Sequence, residues 1–204
     1  MSAPRYELVP LDCPSCGASL AAAEEDVVFY CTACRNGYRY RSAVPPLVPV
    51  DVGFVAAPNQ AVEKYLPFWL LEASVEIGGA PRRQMPSLIR SFLGSGGEPR
   101  SGPGRFVVPA FQADLDAAIE LVRRYTREFP KLDELLGERL VGGCFGVEDA
   151  RKFAHFAVIA GEVDKGGVLR SLDYSIEFGA ARLLGVPFAR AGDSWKDSLF
   201  GIRI

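Results

Sequence analysis

The clearest pattern in the chain is a strict alternation of apolar and polar residues. It runs over 71–77 and again over 172–178, and it predicts two strands that each have one buried face. Two further strands are predicted at 106–111 and 200–204. Pro109 restricts the first of these to a sheet edge or a bulge, because proline has no amide donor for the ladder.

Apolar residues at helical spacing predict two main helices. The first covers 115–129 and ends before Pro130, and the second covers 150–161, where small residues suit close packing on a sheet. A short helix at 131–136 is also considered. Strands outnumber helices and do not alternate regularly with them, which favours an α+β fold with a mixed or antiparallel sheet.

A short motif of proline between an aliphatic and an aromatic residue occurs three times. The copies are Leu66-Pro67-Phe68-Trp69, Val108-Pro109-Ala110-Phe111 and Val186-Pro187-Phe188. Proline ends ladder pairing while the ring packs into the core, so the copies suggest equivalent positions in a duplicated half-domain. The alternative is chance in a chain with 15 prolines and 13 phenylalanines.

The composition is that of a folded protein with little net charge. The 204 residues are 49% hydrophobic, and 23 basic residues nearly balance 25 acidic ones. Contact with nucleic acid or with an acidic membrane therefore needs a local patch of charge. No signal peptide and no apolar run long enough to span a membrane is present, so we expect no membrane insertion. A bacterial or archaeal cytoplasm is the expected compartment.

Four of the five cysteines form two CxxC pairs near the start of the chain. They are Cys13, Cys16, Cys31 and Cys34, with fourteen residues between the pairs. Each pair supplies two sulfurs from one tight turn, so the pairs can close a tetrahedral thiolate site. This spacing favours a bound metal in a reducing compartment over a disulfide framework.

These residues resemble the zinc ribbon family, whose knuckles read CPxCG and CxxC on a small antiparallel sheet. The resemblance implies that the four cysteines bind one structural Zn²⁺, because four thiolates leave no open position for water. Iron in a rubredoxin-like site is the less favoured alternative, since its ligand set is identical. The remainder of the chain faintly resembles uncharacterised bacterial zinc-ribbon proteins with similar proline motifs, which transfers no activity.

The ribbon also offers a candidate contact surface. Basic and aromatic residues interleave after the second knuckle, at Arg35, Tyr38, Arg39, Tyr40 and Arg41. They can supply phosphate contacts and stacking platforms for nucleic acid, or they can contact a protein. Five acidic residues offset the four basic residues of residues 1–44, which favours a protein partner.

Three divisions follow along the chain: a ribbon at 1–44, a proline-rich linker at 45–60, and an α+β domain at 61–204. The linker is expected to take an extended path along the following domain. Within the domain, a long loop at 78–104 is rich in glycine and arginine. Its length is typical of a flexible segment, a partner-binding segment or an active-site lid.

Candidate catalytic groups are few. Cys144 lies in a glycine-rich frame, Gly142-Gly143-Cys144-Phe145-Gly146, and the single histidine, His155, lies on the second helix. Neither has an accompanying nucleophile motif, and no GxSxG or phosphate-loop pattern occurs. We therefore expect a non-enzymatic protein that acts as an adaptor or as a subunit of an assembly, with a nucleic-acid-binding regulator as the alternative.

Overall fold

The computed structural model describes residues 11–43, 45–57, 62–78, 102–133, 140–163 and 173–204. The described chain is an α+β fold with a small antiparallel sheet, a larger mixed sheet and two helices. The helices are α1 (Leu115–Arg127) and α2 (Val147–Val163). The strands are β1 (Val28–Tyr30), β2 (Gly37–Tyr40), β3 (Leu47–Val50), β4 (Val52–Val55), β5 (Lys64–Gly78), β6 (Gly102–Pro109), β7 (Leu132–Asp133), β8 (Asp173–Ala191) and β9 (Ser194–Asp197).

The small sheet has the order β1-β2-β3, and both of its pairings are antiparallel. The third strand lies inside the segment that the sequence assigns to a linker. The next strand, β4, pairs in parallel with β8 of the larger sheet. The linker prediction therefore misses two strands. Its prolines do not prevent pairing, since Pro49 lies on the edge strand of the small sheet, where a missing amide donor is tolerated.

The larger sheet has the order β6-β5-β8-β4-β7, and β9 pairs with β8. The two predicted alternating strands are confirmed, but both are longer than predicted. β5 has 15 residues and β8 has 19. The two ends of the predicted loop at 78–104 belong to β5 and β6, because β5 extends to Gly78 and β6 begins at Gly102. Residues 79–101 lie outside the described part of the chain.

The three proline motifs lie side by side on adjacent strands, because Phe68 pairs with Pro109 and Tyr65 pairs with Pro187. The carbonyl of Pro67 accepts from Ala110 at the end of β6, and that of Pro187 accepts from Ser198. In a strand, a residue's amide and carbonyl point the same way. Pro67 and Pro187 therefore remove no donor from the β5–β8 ladder. Pro109 lies on the edge strand, as predicted.

Two core clusters pack on opposite faces of the larger sheet. Trp69 and Leu71 of β5 point into one core together with Ala150 and Ala154 of α2. Phe68 and Leu70 point into the other core. Helix α1 closes the sheet edge, because the buried Thr126 hydroxyl accepts a hydrogen bond of 3.1 Å from the Val107 amide of β6.

Two other sequence expectations are wrong. Residues 200–204 form a turn and one isolated bridge, between Lys196 and Arg203, instead of a strand. The Phe200 and Ile202 amides donate to the buried Asp197 carboxylate at 2.9 and 2.6 Å, and the Ile204 amide donates to the Trp195 carbonyl at 2.8 Å. The short helix considered at 131–136 is also not found where the chain is described, since Leu132 and Asp133 form β7 against β4.

Candidate metal centre

The two cysteine turns are built by the same hydrogen bonds. In the first turn, the Cys13 amide donates to Ala18 and the Gly17 amide donates to Cys13, both at 2.8 Å. In the second, the Cys31 amide donates to Asn36 at 2.9 Å and the Arg35 amide donates to Cys31 at 2.7 Å. Each turn therefore places its two sulfurs on one side of the chain.

Gly17 and Arg35 occupy the same position of the two turns. Their φ angles are 72° and 63°, in the left-handed region that glycine adopts without strain. Arginine at this position is strained, because its Cβ crowds the following carbonyl. The conformation is needed nevertheless, since the amide of this residue closes the turn.

We expect Arg35→Gly to stabilise the ribbon by about 0.5 kcal/mol. The change relieves the backbone strain at this position, but part of that gain is offset because glycine increases the conformational entropy of the unfolded chain. Gly17→Ala should destabilise it by about 1 kcal/mol. Space does not limit the second change, since no atom lies within 4 Å of an added Cβ. Thermal unfolding of the metal-loaded protein measures both changes in stability. Equal effects of the two variants would contradict the strain argument.

The turns bring the four predicted cysteines together. Their Sγ atoms all lie within 4.8 Å of one another. Cys13 Sγ is 3.5 Å from Cys34 Sγ, and Cys16 Sγ is 3.6 Å from Cys31 Sγ. A tetrahedral ion about 2.3 Å from each sulfur would separate the sulfurs by about 3.8 Å. The cluster therefore fits one tetrahedrally coordinated metal ion.

The thiols of the cluster titrate very differently. Burial raises the pKa of Cys13, but hydrogen bonds from the Tyr38 hydroxyl and from backbone amides outweigh it and lower the pKa to about 6. The Ala18 amide lowers the pKa of Cys16, but burial and the neighbouring sulfurs raise it to about 12. Four sulfurs this close cannot all ionise without a cation, which is the behaviour of a metal ligand set.

Tyr38 supports the site from the side. Its hydroxyl lies 3.3 Å from Cys13 Sγ and 2.6 Å from Ser15 Oγ, and the side chain is fully buried. In this structure the phenol donates to Ser15 Oγ. A metal-bound thiolate only accepts hydrogen bonds, so with a metal bound the phenol would donate to the sulfur and Ser15 would donate to the phenol. Tyr38 therefore orients a ligand and does not face a partner, which corrects its assignment to the contact surface.

We expect Tyr38→Phe to weaken metal binding about tenfold, since removal of an outer hydrogen-bond partner of a ligand has effects of this size. The measurement is competition with a colorimetric chelator. Tyr40→Phe is the matched control, because Tyr40 lies two residues after Tyr38 in the same strand and is 42% exposed. Equal affinity of the wild-type protein and Tyr38→Phe would exclude Tyr38 from the site.

The chain matches no protein-family model, no curated protein and no solved structure. The metal centre is therefore assigned from its geometry alone. No helix in the described part of the chain is long and apolar enough to cross a membrane.

The ribbon is joined to the α+β fold through β1. Val28 and Gly143 form an antiparallel bridge, with hydrogen bonds of 2.9 and 3.1 Å in the two directions. Val28 and Tyr30 are buried in the same core cluster as Trp69. The Tyr30 ring meets the Phe54 ring edge to face, with 5.8 Å between centroids. The metal-binding turns are therefore fixed to the core of the larger sheet.

The glycine-rich frame around Cys144 packs closely against the larger sheet. A Cβ on Gly143 would lie 2.6 Å from the Ala110 carbonyl oxygen and 3.0 Å from Pro67. The Trp69 indole donates to the Phe145 carbonyl at 2.9 Å and fixes the same segment. The sequence does not indicate this role, because the crowding comes from residues distant in the chain.

The remaining predicted contact residues do not form one continuous surface. Arg35, Tyr40 and Arg41 are exposed on the ribbon. Arg39 is half-buried and lines a cavity of about 380 Å³ between the ribbon and the start of α2, together with Arg151. Strand alternation explains the difference, since Arg39 and Tyr40 point to opposite faces of β2.

The two candidate catalytic residues, Cys144 and His155, lie outside the cysteine cluster. Burial raises the pKa of the Cys144 thiol, and the Gln112 and Cys144 amides offset this only in part. His155 packs against two rings, with its centroid 6.0 Å from Tyr174 and 5.5 Å from Phe178. A reactive cysteine needs a lowered pKa.

Proposed function

We propose that this chain is a zinc-binding, non-enzymatic protein of the cytoplasm that acts as an adaptor or as a subunit of a protein assembly. The observation that carries the proposal is the cluster of four cysteine sulfurs within 4.8 Å of one another. Four protein ligands complete the tetrahedral coordination of a metal ion and leave no position for water or substrate, which is typical of a structural site.

Zinc is proposed in preference to iron because of what surrounds the cluster. The ligand set fits both metals. A rubredoxin-like iron site transfers electrons, and it usually stands alone or beside a flavin or diiron domain. The groups that surround this cluster instead join it to a core, through Tyr30, Val28 and the bridge to Gly143. A structural metal that stabilises a docked module agrees better with this arrangement.

The adaptor role is supported by the way the ribbon is held. The ribbon presents Arg35 and Tyr40 to solvent, while Val28 and Tyr30 are buried in the core of the larger sheet. A surface that is rigid before binding loses little conformational entropy when a partner binds. The raised pKa of Cys144 argues against the alternative of a thiol enzyme.

The nucleic-acid alternative has less support. Stacking platforms for bases must be exposed, but Tyr30 is 4% and Tyr38 is 0% exposed, which leaves Tyr40. The exposed arginines of the ribbon, Arg35 and Arg41, belong to a module whose five acidic residues outnumber its four basic ones. We therefore retain nucleic-acid binding as an outcome of the test below.

Affinity purification of the tagged full chain from native lysate, with and without nuclease, tests the proposal. We expect zinc in the purified chain and a stoichiometric protein partner that resists both nuclease and moderate salt. Loss of the partner after nuclease, with a steep dependence on salt, would support the nucleic-acid alternative. An iron-containing chain, or one that purifies without any macromolecule, would contradict the proposal.

A further inference from the structure

A small apolar groove lies where the two helices begin. It has a volume of about 190 Å³ and is lined by Leu115 and Ala118 of α1, by Ala150 and Phe153 of α2, and by Phe145, which precedes α2. These five residues define the α1–α2 groove. Sites for drug-sized molecules have volumes of about 300–1,000 Å³. The groove therefore suits one large apolar side chain better than a cofactor.

Large apolar side chains are exposed around this groove. Leu115 is 51% exposed and Phe145 is 38% exposed. Phe156, on the next turn of α2, is 43% exposed, and its ring centroid lies 5.8 Å from that of Phe153. Single exposed apolar residues are ordinary, but several beside one apolar groove are typical of a binding surface.

The rim of the groove is acidic. Asp114 and Asp116 lie at the start of α1, and Glu148 and Asp149 lie in the first turn of α2.

The nearest basic residues do not remove this excess. Arg151 pairs with Glu148 at 2.8 Å, and Lys152 lies 3.9 Å from Asp149. In the described part of the chain Asp114 and Asp116 form no ion pair, so the rim has a net negative charge and attracts cations.

We propose that the α1–α2 groove docks a basic amphipathic segment of a partner protein, which inserts one large apolar side chain and places lysine or arginine residues against the acidic rim. The inference rests on the adaptor function proposed above and identifies its partner surface. An apolar anchor surrounded by complementary charge is a common mode of helix and peptide recognition.

Two other occupants agree less well with the charges. Nucleic acid would bring phosphates against the rim, where like charges repel. A second copy of this chain, related by a two-fold axis, would bring one acidic rim against another. A basic protein segment has no such penalty, and the charges of the rim would increase its rate of association.

Selection from a random peptide display library on the immobilised, metal-loaded full chain tests the inference. We expect the selected peptides to carry several lysine or arginine residues and one large apolar residue. Fluorescence anisotropy with one such peptide should give an affinity that falls about tenfold in Leu115→Asn and several-fold in Asp116→Asn. Higher salt should reduce the difference between Asp116→Asn and the wild-type protein.

Tyr40→Asn is the matched control, because Tyr40 is an exposed large residue of the ribbon, outside the groove. It should leave the affinity unchanged. Acidic peptides, or binding that neither groove variant weakens, would overturn the inference. If Tyr40→Asn instead abolished binding, the partner would dock on the ribbon, and the adaptor function would survive while the groove proposal failed. If no peptide bound and no protein partner co-purified, both proposals would fail.

Discussion

Cys31→Ser should release the metal ion and lower the melting temperature of the whole chain by about 10 °C or more. Metal binding contributes on the order of 10 kcal/mol to the folding of small thiolate modules, and serine is a poor replacement for a thiolate ligand. For a chain of this length, each kcal/mol corresponds to about 2–4 °C. Cys31 is 1% exposed, so solvent cannot easily supply a substitute ligand in its place.

The loss should spread beyond the ribbon. Val28 and Tyr30 of β1 are buried in the core that contains Trp69, so an unfolded ribbon uncovers part of that core. Elemental analysis measures the metal, and thermal unfolding followed by tryptophan fluorescence measures the core, because Trp69 is fully buried.

Cys144→Ser is the control for this experiment. It removes the fifth cysteine, which lies outside the four-sulfur cluster. This variant should keep one equivalent of metal and a melting temperature close to that of the wild-type protein. Full metal occupancy in Cys31→Ser, or equal metal loss in the two variants, would contradict the assignment of the site.

Gly143→Ala should destabilise the protein by about 1–3 kcal/mol. The added methyl group would lie 2.6 Å from the Ala110 carbonyl oxygen, and a backbone atom cannot move aside as a flexible side chain can. Relief of this contact would shift the segment that bridges to Val28 and accepts the Trp69 indole hydrogen bond. Chemical denaturation measures the free energy of unfolding.

Gly179→Ala provides the comparison, because a Cβ there would meet its nearest atom at 3.7 Å, an ordinary van der Waals distance. We expect a smaller loss of stability in this variant. The metal content should remain at one equivalent in both, since neither glycine contributes to the cysteine turns. A Gly143→Ala protein as stable as Gly179→Ala would show that the close contact with Ala110 does not restrict this position.

The sequence predicted what depends on local pattern. The four cysteines were found because each pair supplies its ligands from one turn, so the spacing alone indicates the geometry. The strand at 71–77 was found because one of its faces is buried and the other is exposed. The spacing predicts a helix at 115–129, and the helix in the structure begins at Leu115 and ends at Arg127. The Asp114 side chain caps it by accepting a hydrogen bond of 3.0 Å from the Asp116 amide.

The parts that were missed depend on contacts between distant residues. In β5, residues 65–71 are buried on both faces, so the apolar run has no alternation to mark a strand. The same holds for 183–188 of β8. Tyr38 and Tyr40 have the same residue type and share one face of β2, yet only Tyr38 is covered by the cysteine turns. Composition and spacing cannot separate the two.

The central claim is that Cys13, Cys16, Cys31 and Cys34 hold one zinc ion as a closed set of ligands. X-ray absorption at the zinc edge, on the full chain purified without added metal, tests it most directly. We predict one zinc per chain with four sulfur neighbours at about 2.3 Å and no nitrogen or oxygen neighbour. Disulfide-bonded cysteines, iron in place of zinc, or a mixed set of sulfur and oxygen neighbours would contradict it.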